Sequence, residues 1–575
     1  MTTIAQNLID TLEQNGVSRI YGVAGDSLNG ITDAIRTSDS IDWVQVRHEE
    51  SAAFAAGAES QLTGEIAVCA GSCGPGNLHL INGLFDANRS RTPVLAIAAH
   101  IPSEEVGTGY FQETHPQDLF RECSVYAELV SNAKQMPRLL EIAMRTAIER
   151  RGVAVLVIPG DVALTEALDS RVTKITPTHP VVRPSDDELQ NLANVLNGAD
   201  KVTILAGAGV QGSHDELVQI ADTLGAPVVH ALRGKEFVEY DNPFSVGMTG
   251  LLGFASGYRA IDAADVLLML GTDFPYPQFY PENATVIQVD IRGEQLGHRT
   301  PLDIGLVGDV GDTVRALLPL LDRKQNREHV KDALKHYKST RAKLDELATP
   351  GRRDHGPLHP QYVAKVVDEL ASDDAVFLAD VGSPVVWAAR YLTMNGQRRL
   401  LGSFTHGSMA NSVPQAIGAQ MAYPDRQVVT FSGDGGLTMM LGDLLTLTQS
   451  KLPVKMVVFN NSSLNFVELE MKAAGFVNYG TGLENPNFAD LANGAGIFGQ
   501  RVERPSELKP ALEAAFAHDG PALIDVVTNR QELSMPPTVK AEQMKGFALY
   551  AIRTVMSGRG DELLDLAQTN WRQLF

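Results

Sequence analysis

Ten short, β-rich and largely apolar runs constrain this chain more than any other feature: Ile66–Ala70, Val94–Ala98, Val153–Ile158, Val202–Ala206, Val266–Leu270, Val286–Ile291, Ala375–Ala379, Val428–Phe431, Val454–Phe459 and Ala522–Val527. Each is followed by a helical pattern. A strand apolar at every residue must be buried on both faces, and its alternation with helices predicts parallel sheets covered on each side. The expected fold class is therefore α/β, built from open parallel-sheet domains with helices on both faces. At 575 residues the chain exceeds what one hydrophobic core accommodates, and two stretches rich in turn formers and exposed charge, 175–188 and 346–360, read as linkers. The expected division is 1–180, 181–345, 346–530 and a C-terminal helical tail, 531–575.

Charge removes one class of partner. Forty-eight Lys and Arg stand against 69 Asp and Glu, a net charge of −21 that repels polyanions, so nucleic acid is not expected. Cys69, Cys73 and Cys123 lack the paired spacing of zinc-ligand arms and suit a reducing compartment. The first residues, MTTIAQNLIDTLEQNG, place Asp10 and Glu13 inside an apolar pattern and read as an amphipathic helix, not an export signal. No stretch of about 18 uncharged apolar residues occurs to span a bilayer.

The most informative segment is Gly433-Asp434-Gly435-Gly436, directly after the run Val428–Phe431, with 24 residues separating Gly435 from Asn460-Asn461 at the end of the next strand. In an open parallel sheet, ligands sit beyond the carboxyl ends of the strands, so these loops can share one site. Asp434 supplies a carboxylate oxygen and Asn461 an amide oxygen, and a glycine turn lets backbone approach phosphate, the donor set that Mg²⁺ with a diphosphate needs. Taken singly, either motif is explained as well by an ordinary turn. Together they resemble the thiamine diphosphate (ThDP) signature of the decarboxylase, acetolactate synthase and pyruvate oxidase superfamily. The resemblance implies Asp434, Asn461 and the carbonyl of Ser463 as Mg²⁺ ligands. It assigns ThDP contact to His406, Gly407 and Ser408, to Met409 as an apolar wedge, to Gly435 and Gly436, and to Ser462, Ser463, Leu464, Asn465, Phe466 and Val467. Asn465 stands where the relatives have Gly, and Phe466 is the candidate that orients the reacting group.

The N-terminal third contains Arg47-His48-Glu49-Glu50 after the short strand Trp43–Val46, opening an Ala-rich helix. Alone, two acids at a helix start are explained by the macrodipole. Under the resemblance, Glu49 is the carboxyl group that hydrogen-bonds the cofactor's aminopyrimidine, reaching it from a second subunit, which implies a homo-oligomer, a dimer of dimers. By position in the same family, Phe111 and Gln112 face the substrate.

In the middle third, Gly207-Ala208-Gly209-Val210-Gln211-Gly212 has the GxGxxG form, yet no acid ends the next strand, Val228-Val229-His230-Ala231, to hold a nicotinamide cofactor's ribose. Four stretches in order look like the FAD-binding segments of pyruvate oxidases: His230–Glu236, Thr249–Gly253, Gly271–Pro275 and Gln288–Ile291. They implicate Gly250, Leu251, Leu252 and Gly253, then Gly271, Thr272, Asp273, Phe274 and Pro275, and Asp290 as a ribose acceptor.

The tail from Asp561 sets Leu563, Leu564, Ala567, Trp571, Leu574 and Phe575 on one helical face. Such a face either packs on protein or lies in a membrane interface. It is similar to the membrane-binding end of the quinone-reducing members of the bacterial pyruvate oxidase group, and the likeness runs through nearly the whole chain. The resemblance implies oxidative decarboxylation of pyruvate to acetate and CO₂, electrons passing through FAD to a membrane quinone, on the inner face of the cell membrane. The alternatives are acetolactate synthase-type carboligation and an O₂-dependent pyruvate oxidase.

Overall fold

The computed structural model describes residues 2–167, 171–350, 354, 356–534, 541–557 and 559–574. Three six-stranded parallel sheets follow one another along the chain. The first holds β1 (Arg19–Gly22), β2 (Asp42–Gln45), β3 (Ala67–Gly71), β4 (Val94–His100), β5 (Tyr126–Leu129) and β6 (Val153–Pro159), in the order β2-β1-β3-β4-β6-β5. The second holds β7 (Val202–Ala206), β8 (Val228–His230), β9 (Ser245–Met248), β10 (Val266–Leu270), β11 (Thr285–Asp290) and β12 (Ile304–Val307), in the order β12-β11-β10-β7-β8-β9. The third holds β13 (Val376–Ala379), β14 (Arg399–Leu401), β15 (Val428–Gly433), β16 (Lys455–Asn460), β17 (Phe498–Val502) and β18 (Ala522–Val527), in the order β14-β13-β15-β16-β18-β17. The α/β class expected from the apolar runs is the one observed.

The first and third sheets share one topology, and the middle sheet has the two-halved order of dinucleotide-binding folds. Eight strands lie outside the ten apolar runs; two of them, β2 and β8, are still read from the sequence as short strands, and six are not: β1, β5, β9, β12, β14 and β17. Of these six, all but β1 lie at a sheet edge. An edge strand is covered on fewer sides, so it needs no continuous apolar run; β12 and β17 each bury one residue fully.

The first and third units share a core. The helix Glu49–Thr63 is buried on nearly every side, and its alanines pack against Val413, Ala416 and Ile417 of the helix Ser412–Ala422. Small residues set that spacing: a Cβ added to Gly418 would lie 2.0 Å from the Ala55 carbonyl oxygen. Growth at that position would force the helices apart.

The tail forms two helices, Ala541–Met556 and Gly560–Leu574. One face docks on the third unit: Tyr550 is fully buried, and Asn570 Nδ2 donates to the Gln531 carbonyl at 2.6 Å while its Oδ1 accepts from Leu533 N at 2.8 Å. Met544, Leu549, Ile552, Val555 and Met556 of the first tail helix, and Leu564 of the second, stay exposed. Ala567 is exposed as well, and Leu563 is half-buried. Phe575 and the side chains of Trp571 and Leu574 lie outside the described residues.

Candidate active site

β13 and β15 are the point at which the third sheet's chain order reverses, and a crevice opens there beyond the strand ends. Asp380–Ser383 leave β13, Gly433–Gly436 leave β15, and Asn461 to Val467 leave β16; all three segments contribute to one cavity. Met409, Pro384, Trp387, Thr528, Asn529 and Glu532 complete its wall. The strands beneath are packed in an apolar core, and the loops carry the polar groups that face the crevice.

Asp434 is the best-held polar group in that layer. It is 3% exposed; Oδ1 accepts from Gly435 N at 2.8 Å, and Oδ2 accepts from Ser462 N at 2.7 Å and Asn485 Nδ2 at 2.8 Å. Burial pushes its carboxyl above the usual Asp range, against these hydrogen bonds, which favour the charged form. Asn461 Oδ1 accepts from Ser463 N at 3.0 Å, and Ser462 between them sits at φ 56°, which turns the backbone back toward Asp434. Thus the 433–436 and 461–463 loops are joined directly, as the spacing of the two motifs predicts.

Two residues that the sequence reading did not single out build this geometry. Asn485 donates both to Asp434 and to Asn460 Oδ1 (2.9 Å), whose Nδ2 reaches Asp525 Oδ1 (2.9 Å). Asp380, 1% exposed, accepts from Ser412 N at 2.9 Å and Gly433 N at 3.2 Å, and desolvation pushes its carboxyl up to about 6. A Cβ on Gly436 would come within 2.4 Å of Asp380 Oδ2, so a side chain there would displace the Asp380 carboxylate. The signal for Asp380 was available: an acid immediately follows the apolar run Ala375–Ala379, with Gly382 two residues on.

Other expected residues fall in different places. Met409 lines the cavity, whereas His406 and Ser408 turn to Asn82 of the first unit, through His406 Nε2 (2.8 Å) and Ser408 Oγ (2.9 Å). His406 Nδ1 is buried without a partner among the described residues, and burial lowers the pKa of its ring. Gly407, at φ 85°, is the turn between them.

Glu49 begins its helix after His48, whose Nδ1 accepts from Glu50 N at 3.2 Å. The carboxyl group is 8% exposed; Oε2 lies 2.8 Å from His79 Nδ1, and the His79 ring stacks on His48 at 4.2 Å. Asp443 of the third unit fastens this turn by accepting from Arg47 N (2.9 Å) and Ser51 Oγ (2.5 Å). Within one chain Glu49 meets its own unit, and the described cavity wall comes from residues 360–532. Phe111, 78% exposed, and Gln112, at φ 64° with Oε1 3.2 Å from Cys73 Sγ, also stand apart from that wall.

In the middle sheet β7 and β10 are the central pair. The turns that follow them cross at contact distance: a Cβ on Gly209 would lie 2.6 Å from Gly271 Cα, and Gly271 adopts φ 59°. Phe274 packs against Gly250, while Arg390 Nε, from the third unit, donates to the Leu252 carbonyl at 3.0 Å. Thr272, 7% exposed, accepts from Gln288 Nε2 at its carbonyl (3.1 Å). Asp290 is 4% exposed and accepts from Arg292 N at 2.9 Å; Asp273 lies 3.6 Å from Arg292 Nη2. Thr249 Oγ1 is buried without a partner among the described residues. Asp290 Oδ1 also lies 3.4 Å from Arg292 Nε, so its carboxylate is ion-paired, and the Thr249 hydroxyl is the polar atom left free among the described residues of these turns.

Three family models match the chain in sequence: the thiamine pyrophosphate enzyme N-terminal TPP binding domain over residues 2–119, the central domain over 189–317, and the C-terminal TPP binding domain over 380–526. An uncharacterized 42.6 kDa protein in the isoamylase 3′ region of Pseudomonas amyloderamosa is 60% identical over 62% of this chain and 90% of its own length. The putative thiamine pyrophosphate-containing protein YdaP of Bacillus subtilis is 35% identical over 99% of this chain and 98% of its own. The pyruvate oxidase of Lactiplantibacillus plantarum is 32% identical over 90% and 87% respectively.

Proposed function

The chain belongs to the thiamine pyrophosphate enzyme family, and from that premise we propose that it oxidatively decarboxylates pyruvate to acetate and CO₂, with electrons leaving through FAD to a membrane quinone. The observation that carries this reading is the meeting of the 433–436 and 461–463 loops through the Ser462 N–H to Asp434 contact, in a crevice whose glycine turns leave room for a diphosphate. Asp434, Asn461 and the Ser463 carbonyl would hold Mg²⁺. Among the described residues no group of three or more His, Cys, Asp or Glu could hold a metal, and this donor set has one carboxylate beside amide and carbonyl oxygens, which suits a hard cation already bound to phosphates.

When bound, ThDP supplies the sink for the electron pair released with CO₂, and FAD supplies the two-electron acceptor. The protein's part is placement. Glu49, held by His79 at Oε2, would present Oε1 to the cofactor's pyrimidine ring. Because Glu49 and the cavity are separate within one chain, a second copy would bring the carboxyl group to the crevice, and the exposed Phe111 and half-buried Gln112 would be covered in the same contact. Met409 and Leu464 flank Gly435 and would give the cofactor an apolar support there. Phe466 lines the same cavity and would help orient the reacting group. The turns Gly250–Gly253 and Gly271–Pro275, with Asp290, would hold FAD; the close crossing of Gly209 and Gly271 and the unpaired Thr249 hydroxyl support that assignment.

No helix among the described residues is long and apolar enough to cross a membrane. The exposed row Met544, Leu549, Ile552, Val555 and Met556 supports a surface-lying attachment to lipid on the inner face of the cell membrane.

The test is the visible spectrum of the purified protein before and after anaerobic pyruvate. A yellow flavin spectrum that bleaches on addition is expected, with acetate as product. Acetolactate without bleaching would replace this reading by carboligation, and quinone-independent peroxide by an O₂-dependent oxidase. Flotation with liposomes, weakened by Ile552→Glu and Val555→Glu, tests the tail.

A further inference from the structure

Asn465 lines the crevice and is 4% exposed. Its side chain spans the crevice. Oδ1 accepts from Ser383 Oγ at 2.9 Å, and Nδ2 donates to the Arg530 carbonyl at 2.7 Å. Ser383 is the first residue of the helix Ser383–Tyr391, and Asn465 the first of the helix Asn465–Ala473; both line the cavity.

Each helix start carries unpaired N–H groups and partial positive charge, so two such ends facing one crevice repel until an anion lies between them. The hydrogen bond from Ser383 Oγ to Asn465 Oδ1 links the two helix starts directly. Behind it, Arg530 Nη2 donates to Glu468 Oε1 at 2.9 Å, and the same oxygen accepts from Ser463 Oγ at 2.6 Å and Thr481 Oγ1 at 2.9 Å. Glu468 is fully buried. The polar chain Ser383, Asn465, Arg530, Glu468, Ser463 therefore starts on one wall of the crevice and ends at the residue whose carbonyl is assigned to the cation. A glycine at 465 would break it at both contacts.

We propose that Asn465 is a positioning residue that presets the separation of the two helix N-termini for the diphosphate and its cation, a task glycine cannot perform. The inference rests on the ThDP reading of the crevice. Its energetic basis is preorganisation: two hydrogen bonds already made in the free protein spare the cofactor the cost of ordering the walls.

Calorimetric titration of the full-length apoprotein with ThDP at fixed Mg²⁺ tests it, using Asn465→Ala, Ser383→Ala and the double variant. Each single change is expected to weaken ThDP binding about tenfold, and the double variant no more than Asn465→Ala alone, because the shared bond is already gone. At saturating ThDP the KM for pyruvate should stay at the wild-type value. Wild-type affinity in Ser383→Ala, or losses that multiply in the double variant, would overturn the tie while leaving the site assignment standing. If Asn465→Ala does not fold, Ser383→Ala alone decides, since it removes only the Oδ1 contact. Failure of the unaltered apoprotein to bind ThDP would instead remove the reading of the crevice.

Discussion

Replacing Asn485 with Ala puts the cation site to a quantitative test without touching any residue assigned to the metal. The half-buried Asn485 amide makes two contacts, with the Asp434 carboxylate at 2.8 Å and with Asn460 Oδ1 at 2.9 Å. A hydrogen bond to a charged group contributes about 1.5–3 kcal/mol and a neutral one about 1. Asp434 keeps two backbone donors, and water can reach the vacated space, so the lower part of that range applies: a loss of about 2 kcal/mol, or roughly thirtyfold in affinity. The charged form of Asp434 loses one of its three stabilising donors, while the burial that raises its pKa remains. Mg²⁺-dependent ThDP binding to the apoprotein, measured by calorimetry at constant pH, should weaken by that factor. The melting temperature of the apoprotein should fall only slightly, because the contact between Ser462 N and Asp434 still joins the loops. Affinity within twofold of the unaltered protein would refute the assignment of Asp434 as the group that Asn485 prepares for the cation.

Glu49→Gln should bind ThDP normally yet lose two or more orders of magnitude in pyruvate turnover, on the scale of about 10²–10⁴ for a proton-transfer group, as single-turnover kinetics would show. Gly209→Ala should release flavin and lower stability by about 1–3 kcal/mol, because its methyl group would sit 2.6 Å from Gly271 Cα; flavin retained at full stoichiometry on gel filtration would argue against the crossing turns as its site. Asp86 is buried between Ser403 and Gln415, and desolvation lifts its pKa from 3.8 to about 6. A raised folded-state pKa means the native state holds the proton longer, so this group's contribution is full below about pH 4 and is lost as pH rises through 6, by about 3 kcal/mol in all. Asp86→Asn should therefore flatten the stability profile between pH 4 and 6 relative to the unaltered protein in urea unfolding, and parallel profiles would contradict the shift.

Much of the architecture is legible in the sequence because interior strands pay for burial with apolar runs. β4, β6, β7, β10 and β18 coincide with such runs almost residue for residue. The edge strands β5, β12 and β17 escape notice because one flank lacks a neighbour and their residues alternate or mix. The site divides in a similar way. Asp434 and Asn461 stand out through glycine turns and spacing along the chain. Asn485 and Asp443 do not, since their value lies in contacts with Asp434, 51 residues away, and with Ser51, 392 residues away.

By itself, then, the sequence determined which segments had to be buried strands and which polar turns would follow them, because burial and backbone conformation are imposed on each residue locally. Only the tertiary structure decided that His406 and Ser408 turn to Asn82, that Glu49 rests on His79 apart from the crevice of its own chain, and that Asn465 ties two helix ends together. Those choices depend on which distant segments the packed sheets bring within hydrogen-bond reach, and no property of a residue's neighbours along the chain encodes that distance.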